Sequence, residues 1–410
     1  MPLTNRYRVV HLCTDDRVDR RILDGARLLT EAGWPTLVIA AAPPGDLADE
    51  TSYPDVPIFR LMGSWVPADR LPEEPSDPQL AAVQAAGRTF NQHQRLLAAA
   101  LAFPCEVIIA NDLPQLPAGI LAARAHGAAL IYDAHEFYPS QPFTKGASAA
   151  LEELERSLIG HADVIVTVND SIADLMAMKY KCQRPVTVLN CPSTRHRGAV
   201  SREESPLRAF VGATPQQRVL LYQGNLAGSR NLEELVDGMA RVTNPDVVLA
   251  FMGKGSAVGD ALKARAQALG LLGSRVHFIP EKSAAELLAW TVGADAGIIP
   301  YPHSDMNTWL VSPNKLYEFL AVGLPILASH GPELRRFVGD LGVGINAHLA
   351  TPQDFAEAID AFFANSIDGF RERAAAVSSR FTWEHEGRQW LGLVERAVHA
   401  RSTRTLRRVA

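Results

Sequence analysis

Two cations stand where a helix start is expected to reject them. In RVLLYQGNLAGSRNLEELV an apolar run ends at Gly224, Gly228 follows, and Ser229 is placed to cap the helix that the later leucines imply, so Arg230 falls in a first helical turn. In SPNKLYEFLAVGLPILAS, Ser312 can cap and Pro313 suits the first helical position. Lys315 then occupies the place where a capping box would put Glu or Gln. Free N–H groups at a helix start carry partial positive charge, so a cation there is unfavourable unless an anion neutralises both. A phosphate does this, and two such cations in one half of the chain point to a diphosphate. The alternative for Arg230 is a solvated surface arginine. Glu318, one turn beyond Lys315, can accept hydrogen bonds from a diol or pair locally with Lys315. His135, in DAHE at the end of an apolar run, reads on its own as a structural hydrogen-bonding group.

The chain supplies alternating strands and helices to position these residues. YRVVHL, TLVIAA, PIFRL, EVIIA, LIYDA and DVIVTV have the length and β-branched content of strands buried on both faces, while Val18, Ile22, Ala26 and Leu29 recur at helical spacing. From Pro192 to Gln217 the periodic apolar residues give way to Pro, Arg, Ser, Thr and Glu, which marks an interdomain linker. RVLLYQ, DVVLAFMG, RVHFIP, ADAGIIPY and PILAS then restart the alternation, with helices from about Ser229, near Asp260 to Gly270, in AAELLAW and from Pro313. The expectation is α/β: a doubly wound parallel-sheet domain over 1–191, a linker over 192–217, and a second such domain over 218–381. A helix over about 382–400, with Trp383, Trp390, Leu391 and Val394 in helical register, is expected to pack back on the first domain. Two doubly wound units imply a ligand cleft at the carboxyl ends of their strands, and the apolar-poor linker implies rotation of one domain against the other on ligand binding.

The 410 residues carry 40 Lys and Arg against 45 Asp and Glu, a net of -5, which gives no basic field for nucleic acid. Cys13, Cys105, Cys182 and Cys191 are widely spaced, which favours reduced thiols in cytoplasm over a zinc site or a disulfide framework. The N-terminus lacks the apolar core of a signal peptide, and the most apolar stretch, Leu96 to Ala110, is broken by Pro104 and Glu106 and is too short to span a bilayer. The last ten residues, RSTRTLRRVA, hold four arginines and no acid. They read as a solvated tail, with peripheral contact to an anionic membrane face as the alternative.

LYQGNLAGSRNLEELV, LAFMGKGS, VHFIPEKSAAELL, GADAGIIPY and SPNKLYEFLAVGLPILAS resemble, in order and spacing, the donor-binding half of a retaining GT-B glycosyltransferase of the family 4 type. DDRVDRRILDGARLLTEAGW and LIYDAHEFYPSQ are similar to acceptor-side segments of the same enzymes. The resemblance implies the GT-B architecture of two Rossmann-like domains facing a cleft. It also implies a nucleoside-diphosphate sugar as donor and a hydroxyl of a glycan, lipid-linked or small-molecule acceptor. By position it assigns Arg230 and Lys315 to the diphosphate, Glu318 to the ribose, and the backbone around Gly253 and Ile279 to the base. Gly224, Asn225, Ser312, Asn314 and Leu316 fall within the same donor-binding motifs. His135 corresponds to the histidine beside the donor sugar, with Arg17, Asp112, Asp133 and Glu136 on the acceptor side. No cofactor and no metal are expected.

Three departures qualify the match. The first of the family's two glutamates falls at Leu310, the arginine usual after the first glycine is Asn225, and the glycine-rich turn after the first strand is replaced by Thr14, Asp15, Asp16 and Arg17. Those four residues either shape the acceptor site or cap the following helix. The reading is a cytoplasmic, retaining, metal-independent transferase in which Arg230, Lys315 and helix starts stabilise the departing diphosphate. Its rivals are a sugar-nucleotide epimerase, an inverting transferase with His135, Glu136 or Asp112 as base, and a non-catalytic sugar-nucleotide-binding protein.

Overall fold

The structure, a computed structural model, describes residues 7–13, 17–40, 50–61, 92–141, 143–195, 200–364 and 366–409, with side chains through 401. Thr14, Asp15 and Asp16 of the polar turn lie outside the described residues. The chain forms two compact units, Met1–Val168 with Ile172–Val188 and Gly387–Ala410, and Leu189–Glu386 with Asn169–Ser171.

In the first unit seven parallel strands are arranged β3-β2-β1-β4-β5-β6-β7. They are β1 Val9–Cys13, β2 Thr36–Ala40, β3 Ile58–Arg60, β4 Val107–Asn111, β5 Ala129–Ala134, β6 Val164–Thr167 and β7 Val186–Thr187. β1, β2, β4 and β5 are buried at every residue, as continuous apolar runs covered on both faces must be. The helix Arg20–Glu31 starts at Asp19, whose carboxylate accepts from Arg21 N at 2.7 Å. The apolar stretch Leu96 to Ala110 divides into a helix over 92–102 and β4, broken around Pro104.

The second unit repeats the plan with six parallel strands in the order β10-β9-β8-β11-β12-β13. These are β8 Arg218–Gln223, β9 Val247–Gly253, β10 Val276–Pro280, β11 Ala296–Ile299, β12 Ile326–Ala328 and β13 Gly344–Asn346. Both sheets reverse direction beside their first strand, at β1/β4 and at β8/β11, the switch points where doubly wound sheets take ligands. The expected α/β fold is therefore present twice. β13 has no counterpart in the sequence reading, because GIN is too short to show a period.

Gly297 explains how one helix is placed over this second switch point. A Cβ at Gly297 would sit 2.3 Å from the Phe319 ring, so only glycine on β11 lets the helix Asn314–Ala321 lie this close. Leu316, Phe319 and Leu320 anchor that helix in the core, which leaves Lys315 and Glu318 to the ligand edge. The linker segment carries its own helix, Pro206–Val211, capped by Ser205, and it buries Leu207 and Val211 against Val219 and Ala294. Helix Trp383–Val409 continues past the expected end near 400 into the arginine-rich last residues, because nothing in RSTRTLRRV breaks a helix. Among the described residues no helix is long and apolar enough to cross a membrane.

Candidate functional site

In the second unit, β8 ends at Gln223 and turns at Gly224, whose φ of +109° suits glycine alone. A Cβ on Gly253, at the end of β9, would meet Gly224 O at 2.2 Å, so the two strand exits touch through backbone. Lys315 lies on the same turn, its Cε and Nζ within 3.6 Å of the space a Gly224 side chain would take. Its ammonium sits 4.1 Å from the Tyr222 ring centroid and 5.2 Å from that of Tyr301, and Arg230 Cζ stands 4.2 Å from the same Tyr301 ring. Both cations are thus held by aromatic faces at the exits of β8 and β11. Neither makes an ion pair with a carboxylate among the described residues.

The electrostatics follow from that arrangement. Lys315 is 6% exposed. Burial, with the nearby Arg230 guanidinium, lowers its pKa to about 7 against the opposing pull of Glu318. Burial raises the Tyr301 and Tyr222 phenols, which stay neutral. Glu318 is 3% exposed and accepts from Gln223 Nε2, while Gln223 Oε1 lies 2.9 Å from the Thr291 hydroxyl that donates to it. A carboxylate only accepts, so this pairing fixes which end of the Gln223 amide faces Glu318.

Two local expectations need correction. Ser229 does not cap a helix: residues Gly228–Arg230 form a separate 3₁₀ turn, and the helix is Leu232–Met239. Asn231 breaks the two apart with φ +52°, and its Nδ2 donates to Leu349 O at 3.0 Å, a tertiary contact invisible in the local sequence. Arg230 therefore stands before the helix, whose first turn carries Glu233 and Glu234 in keeping with the dipole. Nor does Ser312 cap its helix. Pro313 is extended (φ -72°, ψ 153°) and takes the cap position, and Ser312 Oγ accepts from Asn169 Nδ2 at 2.9 Å. Lys315 remains in the first turn, as expected.

The other donor-side residues are placed as follows. Asn314 Oδ1 accepts from Asn190 Nδ2 at 2.7 Å. Asn225 is exposed, and its carbonyl accepts from the Tyr222 hydroxyl at 2.8 Å. Leu316 and Ile279 turn their side chains into the core. Leu310 is 8% exposed, and its carbonyl accepts from Asn169 Nδ2.

The first unit gathers a second constellation at the exits of β4 and β5. Asp133 receives a two-pronged bond from Arg21, Nε to Oδ2 at 2.9 Å and Nη2 to Oδ1 at 2.9 Å, with both side chains 1% exposed. Arg21 Nη1 also donates to Val188 O at 2.8 Å. Asp133, placed on the acceptor side by the resemblance, is thus buried against Arg21, and its Oδ2 lies 3.3 Å from His135 Nε2. On the other side Asp112 Oδ2 lies 3.6 Å from His135 Nδ1, and Asp112 Oδ1 accepts from His135 N at 2.8 Å. Asp112 holds φ +64° and ψ 167°, a conformation costing a non-glycine residue about 1–3 kcal/mol, which these bonds and Asp112 N to Asp133 O at 2.8 Å keep in place.

Burial alone would lower the His135 pKa, but the carboxylates of Asp112 and Asp133 outweigh it and raise it to about 9. Burial, with Glu136 and Asp133 adding to it, pushes Asp112 upward against the stabilising His135. The raised pKa favours the imidazolium at neutral pH, with Nε2 donating to Asp133 and Nδ1 facing Asp112 beyond hydrogen-bond distance. Glu136 accepts from Gln141 Nε2, and Arg17 is half-buried on the segment leading to Asp19. No group of His, Cys, Asp and Glu among the described residues is arranged to hold a metal ion.

Sequence reasoning missed Tyr222, Gln223, Tyr301 and Arg21. The first three are the last residues of the apolar runs RVLLYQ and ADAGIIPY, where a polar terminus is the available signal. Arg21 gives none, since its partner is 112 residues away.

A glycosyl transferase 4-like domain model matches residues 18–192, and a glycosyl transferases group 1 model matches residues 217–365. With two doubly wound units and these matches over most of its length, the chain belongs to the GT-B glycosyltransferases of the family 4 type. Among curated relatives, the D-inositol 3-phosphate glycosyltransferase of Nocardioides sp. is 27% identical over 262 residues, covering 59% of this chain and 56% of that protein. The protein of the same name from Mycobacteroides abscessus is 24% identical over 289 residues, covering 68% of this chain and 63% of that one. The match thus spans between about half and two thirds of these relatives. In fold, a glycosyltransferase from Rickettsia africae superposes with a TM-score of 0.71 at 12% identity, over 96% of this chain and 99% of that one. Anabaena Alr3699/HepE, solved in complex with UDP, also gives 0.71, at 16% identity over 95% of this chain and 99% of that one.

Proposed function

We propose that this protein transfers a sugar, with retention of anomeric configuration, from a nucleoside-diphosphate sugar to a hydroxyl of a glycan, lipid-linked or small-molecule acceptor. The observation that carries this reading is the pair Arg230 and Lys315, two cations that make no ion pair among the described residues, at the switch point of the second unit. In the reaction the anomeric C–O bond breaks and negative charge grows on the departing diphosphate. Arg230 and Lys315 bind that charge more strongly as it develops, which lowers the barrier. They supply the positive charge that a divalent ion would otherwise bring, so the reading requires no metal.

Glu318 holds the ribose diol by exchanging its bond with Gln223 for the sugar hydroxyls. Gly224 and Gly253 give backbone access to the phosphates and the base. His135 orients and polarises the transferred sugar as a hydrogen-bond donor through Nδ1, which stands 3.6 Å from Asp112, while Nε2 stays on Asp133. Its raised pKa supports this role over that of general base, since a group already protonated at neutral pH cannot take the acceptor proton. The leaving phosphate oxygen takes that proton instead, on the face it vacates. This also weighs against the inverting reading with His135 as base.

Incubation with a panel of uridine, guanosine and thymidine diphosphate sugars, with sugar phosphates, inositols and lipid-linked sugars as acceptors, tests the reading. An α-linked product from an α-linked donor is expected. Inversion at the anomeric carbon, or binding without turnover across the panel, would reject it.

A further inference from the structure

The amino edge of the second sheet carries more positive charge than its own carboxylates neutralise. Asp295, 1% exposed, immediately precedes β11. Its Oδ2 accepts from Arg208 Nη1 at 3.0 Å and from Val219 N at 2.8 Å. On Oδ1 converge Arg202 Nη2 in close contact, Arg218 Nη1 at 3.7 Å and Arg371 Nη2 at 4.0 Å. Arg208 is fully engaged, bonding also Gly293 O, Thr214 O and Gln217 O, so four guanidinium groups share the one buried carboxylate. The side chains of Arg202, Arg218 and Arg371 stay 23%, 48% and 33% exposed around a cavity of about 540 Å³.

The acids at the rim do not cancel these three. Glu203, 72% exposed, pairs with Arg202 Nη1 at 3.0 Å, and Asp368 accepts from Ser366 Oγ at 2.6 Å. Arg202 Nε is buried without a hydrogen-bond partner among the described residues. Burial lowers the Arg371 pKa against the pull of Asp295 and Asp368, and the neighbouring Arg202 and Arg218 lower it further. Arg371 Nη2 also donates to Asp295 O at 3.0 Å, and three partly exposed guanidinium groups around one small space share a single buried carboxylate, the arrangement that suits a tetrahedral oxyanion. Phe363 and Ile367 add an apolar wall. Arg218 begins β8 and Gln223 ends it, so the cavity lies roughly 16 Å along the strand from the Gly224 turn.

We propose that this cavity is a second ligand site, which binds a phosphoryl dianion, free or as the phosphate of a small phosphomonoester, independently of the donor edge. Calorimetric titration of the whole chain with inorganic phosphate and with glycerol 3-phosphate tests it. Saturable one-to-one binding is expected, weakened roughly tenfold or more by Arg218→Gln, the loss of one charge-assisted contact, and unchanged by Lys315→Ala. Tighter binding of glycerol 3-phosphate assigns the site to a phosphomonoester, and tighter binding of phosphate assigns it to the free ion; either supports the proposal. In phosphate-free buffer Arg218→Gln should melt at or above the wild-type temperature, because it removes the most exposed of four guanidinium groups crowded on one carboxylate. No binding at millimolar ligand, equal binding in wild type, Arg218→Gln and Arg202→Gln, loss of binding in Lys315→Ala, or a clear fall in the Arg218→Gln melting temperature would each overturn it.

Discussion

On the proposed function, the buried Lys315 makes nucleotide affinity depend on pH in a way that follows from its surroundings. Its ammonium faces Tyr222 and Tyr301, with Arg230 and Glu318 as the charged neighbours, and burial beside Arg230 brings its pKa down to about 7. In the unliganded protein about half the molecules are charged at pH 7 and about one in ten at pH 8. A bound diphosphate requires the charged form, so the site takes up about 0.9 of a proton per nucleotide at pH 8. Affinity for uridine or guanosine diphosphate should fall by close to tenfold per pH unit above 7, about 1.4 kcal/mol each. Titration calorimetry between pH 7 and 9, in two buffers of different ionisation enthalpy, reads both the slope and the proton count. In Lys315→Arg the side chain stays charged throughout and the slope should vanish. The same lowered pKa means that the unfolded chain binds the extra proton between about pH 7 and 10.5, so this group adds stability to the unliganded fold as pH rises through that window. A wild-type affinity that is flat from pH 7 to 9, or an identical slope in Lys315→Arg, would refute the reasoning.

Further expectations concern the separate roles of the site residues. Arg230→Ala should lose about 1.5–3 kcal/mol of transition-state stabilisation, read as kcat/KM, with little change in melting temperature because Arg230 is half-buried and makes no ion pair among the described residues. Glu318→Ala should raise the donor KM with modest change in kcat, whereas His135→Ala should lower kcat at saturating donor; steady-state kinetics showing the opposite pattern would reverse the assignment. If the imidazolium is the working form, wild-type kcat should decline as pH rises through about 9, a limb absent in His135→Ala. Asp133→Asn should destabilise the protein by about 3–5 kcal/mol in denaturant melts, because it strands the buried Arg21 charge; a loss below 1 kcal/mol would show that Arg21 relaxes to solvent.

The two doubly wound units were legible because buried parallel strands write themselves as short apolar runs, and β8 through β12 coincide with runs visible in the chain. Lys315 was legible for a local reason, since a cation at a helix start conflicts with the dipole. For Arg230 the same argument pointed to the right residue through the wrong element. Asn231 ends the turn there, and the Tyr301 ring holds the guanidinium through a contact 71 positions away. The Arg21–Asp133 pair, the Thr291–Gln223–Glu318 chain and the arginines around Asp295 share that character: each joins residues far apart in sequence, so no local pattern announces them. Family resemblance supplied His135, and the geometry then changed its meaning, from a lone polar residue after a strand to an imidazolium held by two carboxylates.

The central claim, that Arg230 and Lys315 together hold a diphosphate, is tested most directly by phosphorus NMR of uridine and guanosine diphosphate titrated with the protein. The account predicts that both phosphorus resonances shift and broaden for at least one nucleotide with wild type, that each single alanine variant weakens the effect by roughly tenfold or more, and that Arg230→Ala combined with Lys315→Ala abolishes it. Unchanged binding by the doubly substituted protein would contradict it.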